Sequence, residues 1–338
     1  KYLEALGLDP MRDILREDVN RLAPLVDGWP RLIAAYALAV EQTSDIEAQL
    51  DLRLQLGDVL RGVARVDDAI AQFRKVHDDD PGNMHAIAAL DGLYRETSRF
   101  QELLDIYDRR LELETDSDAK KRVAYGRAGL LERELSLPDR AIDAYRDIVT
   151  EWGDEEQDAY RQIDGLFEKQ GRWSDLAATL ERRIDLGPGS DEELAALKFR
   201  LARVLEQHLE DRPRALELYR EVVTIVPEHD GARVALESFL DSADLGPAAA
   251  QLLEPIYEMR GDWESLVRSL EVLLRGAEEP TRRLELLTKI GEVAGGQIGD
   301  QRRAFDAYGR GLREIPEDAN TIARLEAVAE ARSWFGDL

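Results

Sequence analysis

Apolar and small residues recur every three or four positions along stretches of this chain, and short polar breaks separate the stretches. In residues 50–83 these positions are Leu56, Gly57, Leu60, Ala69, Phe73 and Val76. A spacing of three or four is the period of one helix face. Pro81 ends the pattern, because proline lacks an N–H and clashes with the preceding helical turn. The stretch therefore predicts two helices joined by a turn after Leu60.

The same pattern returns along the chain. "DGLYRETSRF" at 91–100 and "DGLFEKQGRW" at 164–173 are two copies of one phrase. Five aromatic residues are each followed by Leu three positions later: Trp29, Phe100, Trp173, Trp263 and Phe335, with Leu32, Leu103, Leu176, Leu266 and Leu338. A second phrase carries an alanine at Ala69, Ala141, Ala215 and Ala304. The spacings predict a repeated unit of about 72 residues in two halves, with extra residues in one copy.

Each half-unit resembles a tetratricopeptide repeat of the bacterial tandem-array type. The residues that carry the resemblance in one copy are Leu56, Gly57, Leu60, Ala69, Phe73 and Pro81. Further copies follow in phase, with matching positions such as Tyr94, Tyr107, Tyr145, Phe167, Tyr219, Tyr257 and Tyr308. The resemblance implies an all-α fold, a right-handed superhelical solenoid of antiparallel helix pairs with about eighteen helices. It covers nearly the whole chain.

We expect a single solenoid over 1–338. Its units are predicted at 1–49, 50–121, 122–195, 196–283 and 284–338, the last incomplete. An extra amphipathic helix is expected near 230–246, with Val234, Leu236 and Phe239 on its apolar face. It either kinks the array or exposes a docking stripe. "WFGDL" at 334–338 stops just after a new helix begins, which predicts a fragment of a longer array.

The repeated phrase predicts the end of one helix, a turn and the start of the next. Gly92 and Gly165 are expected inside a helix, where they allow close packing. Asp91 and Asp164 are expected to face outward or to cap a neighbour. The recurring aromatics are expected in the core, with peptide stacking as the alternative. Ser190 is expected to cap the helix that follows it.

Charge limits the function. The formal net charge is −25 at pH 7, which argues against nucleic acid because backbone binding needs a basic face. The acidic surface is either a solvated shell or a docking face for a basic partner. No apolar run is long enough to insert in a membrane. A cytoplasmic location is expected, although the chain starts at Lys1 and not at Met.

No constellation for catalysis is visible. The chain has no cysteine, and its four histidines are scattered without a metal-binding spacing. It contains neither a G-x-x-x-x-G-K-[ST] loop nor G-x-S-x-G. With 70 Asp and Glu residues, paired carboxylates carry no information. We therefore expect no enzyme activity, no cofactor and no metal.

What remains is a groove that the resemblance implies. In the family, the first helix of each repeat lines the concave face, and its slots map here onto Arg61, Arg95, Arg133, Arg161, Arg200, His85 and Asp58. Arginine forks bind carboxylates with two hydrogen bonds, so these arginines are candidates to hold an acidic or C-terminal partner segment. Alternatively, each arginine pairs with a carboxylate of the adjacent repeat.

The function predicted from these features is a non-enzymatic protein-interaction scaffold. It would bind a peptide or helix of a partner protein in the groove, or join a larger assembly along the array. The alternative is a regulatory or sensor arm fused to an enzymatic domain outside this segment.

Overall fold

The computed structural model describes residues 12–23 and 28–332, and within them the chain is helical with no strand. These residues form eighteen α-helices: α1 Asp13–Leu22, α2 Trp29–Gln42, α3 Ile46–Gly62, α4 Val66–Asp79, α5 Met84–Glu96, α6 Phe100–Leu113, α7 Ser117–Arg133, α8 Pro138–Trp152, α9 Gln157–Gln170, α10 Trp173–Asp185, α11 Asp191–Gln207, α12 Arg212–Ile225, α13 Asp230–Phe239, α14 Gly246–Arg260, α15 Trp263–Gly276, α16 Pro280–Glu292, α17 Gln301–Glu314 and α18 Ala319–Arg332. The all-α prediction is confirmed.

The chain divides into two compact units, Lys1–Leu166 and Phe167–Leu338, and the boundary falls inside α9. Within each unit, helices that follow one another in the sequence pack together. We call the earlier member of each pair its first helix, and we count α9 and α18 as first helices by their place in the sequence. The pairs relevant to function are α3/α4, α5/α6, α7/α8, α11/α12, α14/α15 and α16/α17.

Small residues set the spacing within a pair. In α3, a Cβ on Gly57 would lie 2.7 Å from the ring of Phe73 on α4. Gly291 faces Tyr308 in the same way, and Ala128 and Ala202 are fully buried at the corresponding positions. The alanines at the helix crossings are also buried, as the sequence predicts: Ala69, Ala141, Ala215 and Ala304. Close approach of the two helices thus requires a small residue on each side.

The two copies of the repeated phrase occupy the predicted position. Phe100 and Trp173 are the first residues of α6 and α10, and the preceding turns pass through Ser98 and Gly171 with positive φ of 56° and 68°. A non-glycine residue pays a steric cost in this left-handed region, whereas glycine does not. The phrase is therefore a helix–turn–helix junction in which one position has left-handed backbone.

Three expectations about this phrase need correction. Gly92 and Gly165 lie inside α5 and α9, but a Cβ at either position would have no atom within 4 Å, so neither enables close packing. Asp164 does not face outward, because it is fully buried. Asp91 is half-buried, and it accepts hydrogen bonds from Arg95 on its own helix and from the Tyr107 hydroxyl on α6.

The recurring aromatics are also less buried than expected. Trp29, Phe100, Trp173 and Trp263 are half-buried, and the fully buried residue is the leucine three positions later. The aromatic is the first residue of its helix, and one side of its ring stays at the surface beside the turn. Phe335, Leu338 and the segment 334–338 lie outside the described residues.

Helix ends follow their capping residues. The Ser190 hydroxyl accepts a hydrogen bond from Glu193 N at 3.1 Å, which confirms the predicted cap of α11. The short helix α13 is capped by the His229 ring, whose Nδ1 accepts from Ala232 N at 3.1 Å. Leu236 and Phe239 of α13 are fully buried, whereas Val234 is 54% exposed.

The last pair has one more residue between Gly291 and Ala304 than the first has between Gly57 and Ala69. Here α16 continues into a π-helix, Val293–Ile298, which ends at Gly299 with a φ of 83°. The Gln301 side chain donates to the Gly295 carbonyl oxygen at 2.8 Å. The same spacing separates Ala128 from Ala141 and Ala202 from Ala215 in pairs without a π-helix, and Ala304 is buried at its crossing in the same way.

Candidate functional site

The predicted groove arginines have partners within the chain. Three pair with a carboxylate on their own helix: Arg61 with Asp58, Arg95 with Asp91 and Arg161 with Asp158. The Arg61–Asp58 pair is long at 3.7 Å, and Asp58 also lies 2.9 Å from His85 Nε2 on α5. The Arg161–Asp158 pair is exposed, and exposed ion pairs contribute about 0–1 kcal/mol each. Asp91 is half-buried, and Arg95 also donates a hydrogen bond to the Tyr107 hydroxyl on α6.

The other two predicted arginines differ from these three. Arg200 on α11 reaches Glu168 of α9 at 2.7 Å, one pair earlier in the same unit. This contact matches the alternative stated from the sequence, in which an arginine pairs with a carboxylate of the adjacent repeat. Arg133 is exposed and makes no ion pair with a carboxylate in the described part of the chain. Arg133 is thus the predicted arginine that could meet a partner's carboxylate without breaking an ion pair.

Cations on first helices commonly pair with a carboxylate of a neighbouring first helix. Examples besides Arg200 are Lys289 with Glu254 and Arg324 with Glu292. Lys121 on α7 pairs with Glu156, the residue directly before α9. The Lys121 hydrogen bond lowers the pKa of the Glu156 carboxyl against the opposing effect of its burial, and the Tyr125 hydroxyl donates a second hydrogen bond. Ion pairs thus link consecutive first helices within each unit.

Buried phenols link the two helices of a pair. The Tyr145 hydroxyl donates to Glu132 at 3.2 Å, and the Tyr219 hydroxyl donates to Glu206 at 2.8 Å. Burial, together with the nearby Glu132 carboxylate, raises the pKa of Tyr145 to about 12. Burial and the Glu206 hydrogen bond likewise raise the pKa of Tyr219. Both phenols therefore stay neutral donors at physiological pH.

A pocket of about 330 Å³ opens beside the turn between α9 and α10 and the end of α11. Its walls are Glu168, Trp173, Arg200, Arg203, Val204, Gln207 and His208. The Trp173 and His208 rings stack with centroids 3.6 Å apart and an interplanar angle of 5°. The pocket thus joins an aromatic wall to two guanidinium groups.

The two guanidinium groups of this pocket are held differently. Arg200 is fixed by Glu168, whereas Arg203 donates a long hydrogen bond of 3.5 Å to Gln207 and has no carboxylate partner among the described residues. A planar guanidinium of this kind is suited to a carboxylate. An aromatic wall beside it suits an apolar or aromatic side chain.

The structure brings together some of the residues that sequence reasoning singled out. Arg200 is a predicted slot residue, and it lines this pocket with Trp173, one of the recurring aromatics. Sequence reasoning missed Arg203 and placed Trp173 in the core. The spacing could have indicated Arg203, because residues 200, 203 and 207 fall on one helix face.

Comparison with known families bears on this repeated packing. The family model described as tetratricopeptide repeat matches residues 86–120, which include α5 and α6. The same crossings by small residues recur in the pairs before and after this stretch. Residues 86–120 thus match a tetratricopeptide repeat, and the resemblance seen in the sequence is confirmed over this stretch.

Solved structures similar to this chain share little sequence identity with it. The crystal structure of YrrB, described as having an unusual peptide-binding site, is 18% identical over 60% of this chain and 98% of that one, with a TM-score of 0.32. The C-terminal part of a tetratricopeptide-repeat protein from Cytophaga hutchinsonii is 17% identical over 80% and 99%, with a TM-score of 0.35. Naa15/Naa10 bound to HypK is 14% identical over 98% and 52%, with a TM-score of 0.39. No curated protein matches the chain.

Metal-binding clusters and membrane-spanning helices are both absent from the described residues. Residues 12–23 and 28–332 contain no group of three or more His, Asp or Glu side chains placed to hold a metal ion. Among the helices described, none combines the length and the apolar character that crossing a membrane requires.

Proposed function

We propose that this protein is a non-enzymatic scaffold that binds a peptide or helix of a partner protein. A tetratricopeptide repeat supports an interaction scaffold in general terms. The specific proposal rests on the pocket at Trp173. This pocket places the Arg203 guanidinium, which has no carboxylate partner among the described residues, beside an aromatic surface.

The pocket suits a partner segment with a carboxylate next to an apolar side chain. Arg203 would take the carboxylate through two parallel hydrogen bonds, each worth about 1.5–3 kcal/mol to a charged group. Trp173, held in place by its stack with His208, would contact the neighbouring side chain. Arg200 adds positive potential while Glu168 keeps its guanidinium in position.

We extend the proposal to the predicted arginines of the first unit. Arg133 can accept a carboxylate at once, whereas Arg61, Arg95 and Arg161 must exchange the aspartate on their own helix. Exchange of an exposed pair costs about 1 kcal/mol or less. A partner that reaches these arginines would contact the first-helix surface with an acidic segment.

The test uses three forms of the protein as bait: the wild type, Trp173→Ala and Trp263→Ala. Trp263 has the same place at the start of its helix and the same half-buried state, but it does not line this pocket. A true partner is retained by the wild type and by Trp263→Ala and is lost with Trp173→Ala. Thermal melts of both variants control for folding.

A second pair of variants then tests the charge. Arg203→Ala should weaken binding of the partner identified in this way by about tenfold or more, and Arg203→Lys should restore only part of it, because lysine cannot make the paired contact. Equal loss with Trp173→Ala and Trp263→Ala, or full binding by Arg203→Ala, would contradict the proposal.

A further inference from the structure

A second groove, of about 440 Å³, lies in the first unit where the end of α6 meets α7 and α8. Its apolar floor consists of Leu111, Ala124, Ala144 and Ile148. Ala124 and Ala144 are buried, and Trp152 stands half-exposed at one end. The groove exists because both positions on the facing helices hold only a methyl group.

The corresponding place in the pair α11/α12 is filled by the chain itself. The pairs α7/α8 and α11/α12 can be aligned through Ala141 and Ala215, which are 74 residues apart. The hydrogen bonds of Tyr145 to Glu132 and of Tyr219 to Glu206 give the same alignment, so each position in α7/α8 has a counterpart 74 residues later. The counterpart of Ala124 is Lys198, and that of Ala144 is Leu218. Lys198 lies flat on the surface with its side chain only 16% exposed, and its ammonium pairs with Glu221.

The counterpart of Glu221 is Asp147, which lines the groove in α8. The other charged residues of the groove are paired already: Lys120 with Glu151, Arg127 with Asp108, and Glu112 with Arg109. Asp147 is exposed and makes no ion pair with any residue that the structure describes. The groove thus has Asp147 in place of Glu221, but it has no lysine in place of Lys198.

We propose that this groove binds a lysine side chain from a basic segment of a partner protein. The aliphatic stem would lie over Ala124 and Ala144, and the ammonium would meet Asp147, as Lys198 does with Glu221 within the chain. Lysine stems bury apolar surface while keeping the charge in water. The volume lies at the low end for a small-molecule site and accommodates a lysine with one neighbouring side chain.

Long-range electrostatics favour the same partner. With a net charge of −25, the protein attracts a basic segment before contact, and attraction of this kind raises association rates. The two cations of the groove, Lys120 and Arg127, are neutralised by their own carboxylates and do not repel it. This surface is separate from the pocket at Trp173, so the two proposals stand or fall independently.

A single thiol reports on the groove, because the chain has no cysteine of its own. Thr150→Cys places a fluorescent label in the groove, and Thr224→Cys places it at the counterpart position. The two threonines are matched, since both are exposed and both bond the carbonyl oxygen four residues earlier. The probe is an 18-residue helical peptide of leucine and lysine, compared with the same peptide carrying glutamine in place of lysine.

We expect the lysine peptide to give a saturable change at position 150 and none at 224, and the glutamine peptide to give none. Asp147→Asn should weaken binding about tenfold, the effect of losing one charged hydrogen bond. Asp143→Asn removes the same charge from α8 outside the groove and should change affinity less than about twofold. Ala144→Leu, which installs the counterpart residue, should abolish the response at 150.

Three results would overturn the proposal. Equal responses at 150 and 224 would show that the peptide binds the acidic surface without preference. If Asp147→Asn and Asp143→Asn weakened peptide binding equally, the weakening would come from the change in net charge and not from a contact with Asp147. Equal binding of the glutamine peptide would remove the lysine from the contact. Because Asp147 and Asp143 are both exposed, neither variant depends on repacking the fold.

Discussion

The contact between Gly57 and Phe73 makes the sharpest prediction about stability. A Cβ on Gly57 would lie 2.7 Å from two ring carbons of Phe73 and 3.0 Å from a third. Favourable carbon contacts lie at about 3.5–4.0 Å, so the overlap approaches 1 Å. The Phe73 side chain is fully buried and has no solvent to move into. Gly57→Ala must therefore strain α3 against α4.

The matched substitution is Gly92→Ala in the next first helix, where the new methyl group meets open space. In a helix interior, alanine is favoured over glycine by about 1 kcal/mol. Gly92→Ala should gain this amount. Gly57→Ala gains the same term but loses about 1–3 kcal/mol to overpacking. We therefore expect the free energy of unfolding of Gly57→Ala to lie about 1–3 kcal/mol below that of Gly92→Ala.

Hydrogen exchange of peptides from α3 to α6 measures this difference locally, which suits a repeat protein whose parts open separately. In a double-mutant cycle, Phe73→Leu should cost less in the Gly57→Ala background than in the wild type, because the smaller side chain relieves the overlap. If Gly57→Ala and Gly92→Ala shifted protection equally, or if the cycle showed no coupling, the close approach would not limit this position.

Four further substitutions test other contacts. Ala141→Leu should lower the melting temperature, because a larger side chain overpacks a fully buried helix crossing at a cost of about 1–3 kcal/mol. An unchanged melting temperature would mean that Ala141 does not lie at the crossing. Tyr145, whose pKa is raised to about 12, contributes stability that is complete below about pH 10 and is lost as the pH rises through 12. In Tyr145→Phe, the urea midpoint of unfolding should fall less steeply between about pH 10 and pH 12 than in the wild type. If it fell as steeply as in the wild type, the loss of stability would come from other groups. Ser98→Gly should stabilise the protein by up to about 1 kcal/mol, because the strain of left-handed backbone at Ser98, about 1–2 kcal/mol, exceeds the entropic cost of adding a glycine. Gly171→Ser should destabilise it for the converse reason. If both variants melted at the temperature of the wild type, backbone strain at this position would be excluded.

The helical period and the crossing alanines were predictable from sequence because both depend on local spacing. Ala141 and Ala215 occupy the crossings that their positions indicate, and Ser190 caps α11 through a contact three residues away. These features need no knowledge of distant neighbours. The repeated phrase could be placed at a turn for the same reason.

The partners of the arginines were not predictable in this way. With 70 carboxylates for 45 basic residues, almost every arginine has several possible partners. Arg161 takes the aspartate on its own helix, whereas Arg200 takes a glutamate one pair away. The choice depends on the distance between helices, which the sequence does not state. The same reason explains the missed exposure of Trp173 and the unexpected burial of Asp164.

The ion pairs between consecutive first helices have a consequence for the order of the repeats. Lys289 on α16 contacts Glu254 and Glu258 on α14, and Arg324 on α18 contacts Glu292 on α16. Each repeat therefore carries one half of a charge pattern whose other half belongs to its neighbour. In each of these contacts the carboxylate lies on the earlier helix and the cation on the later one, so a junction is complementary only when the repeats follow one another in this direction. The pairs contribute little to stability individually, but together they favour this direction of stacking over the reverse.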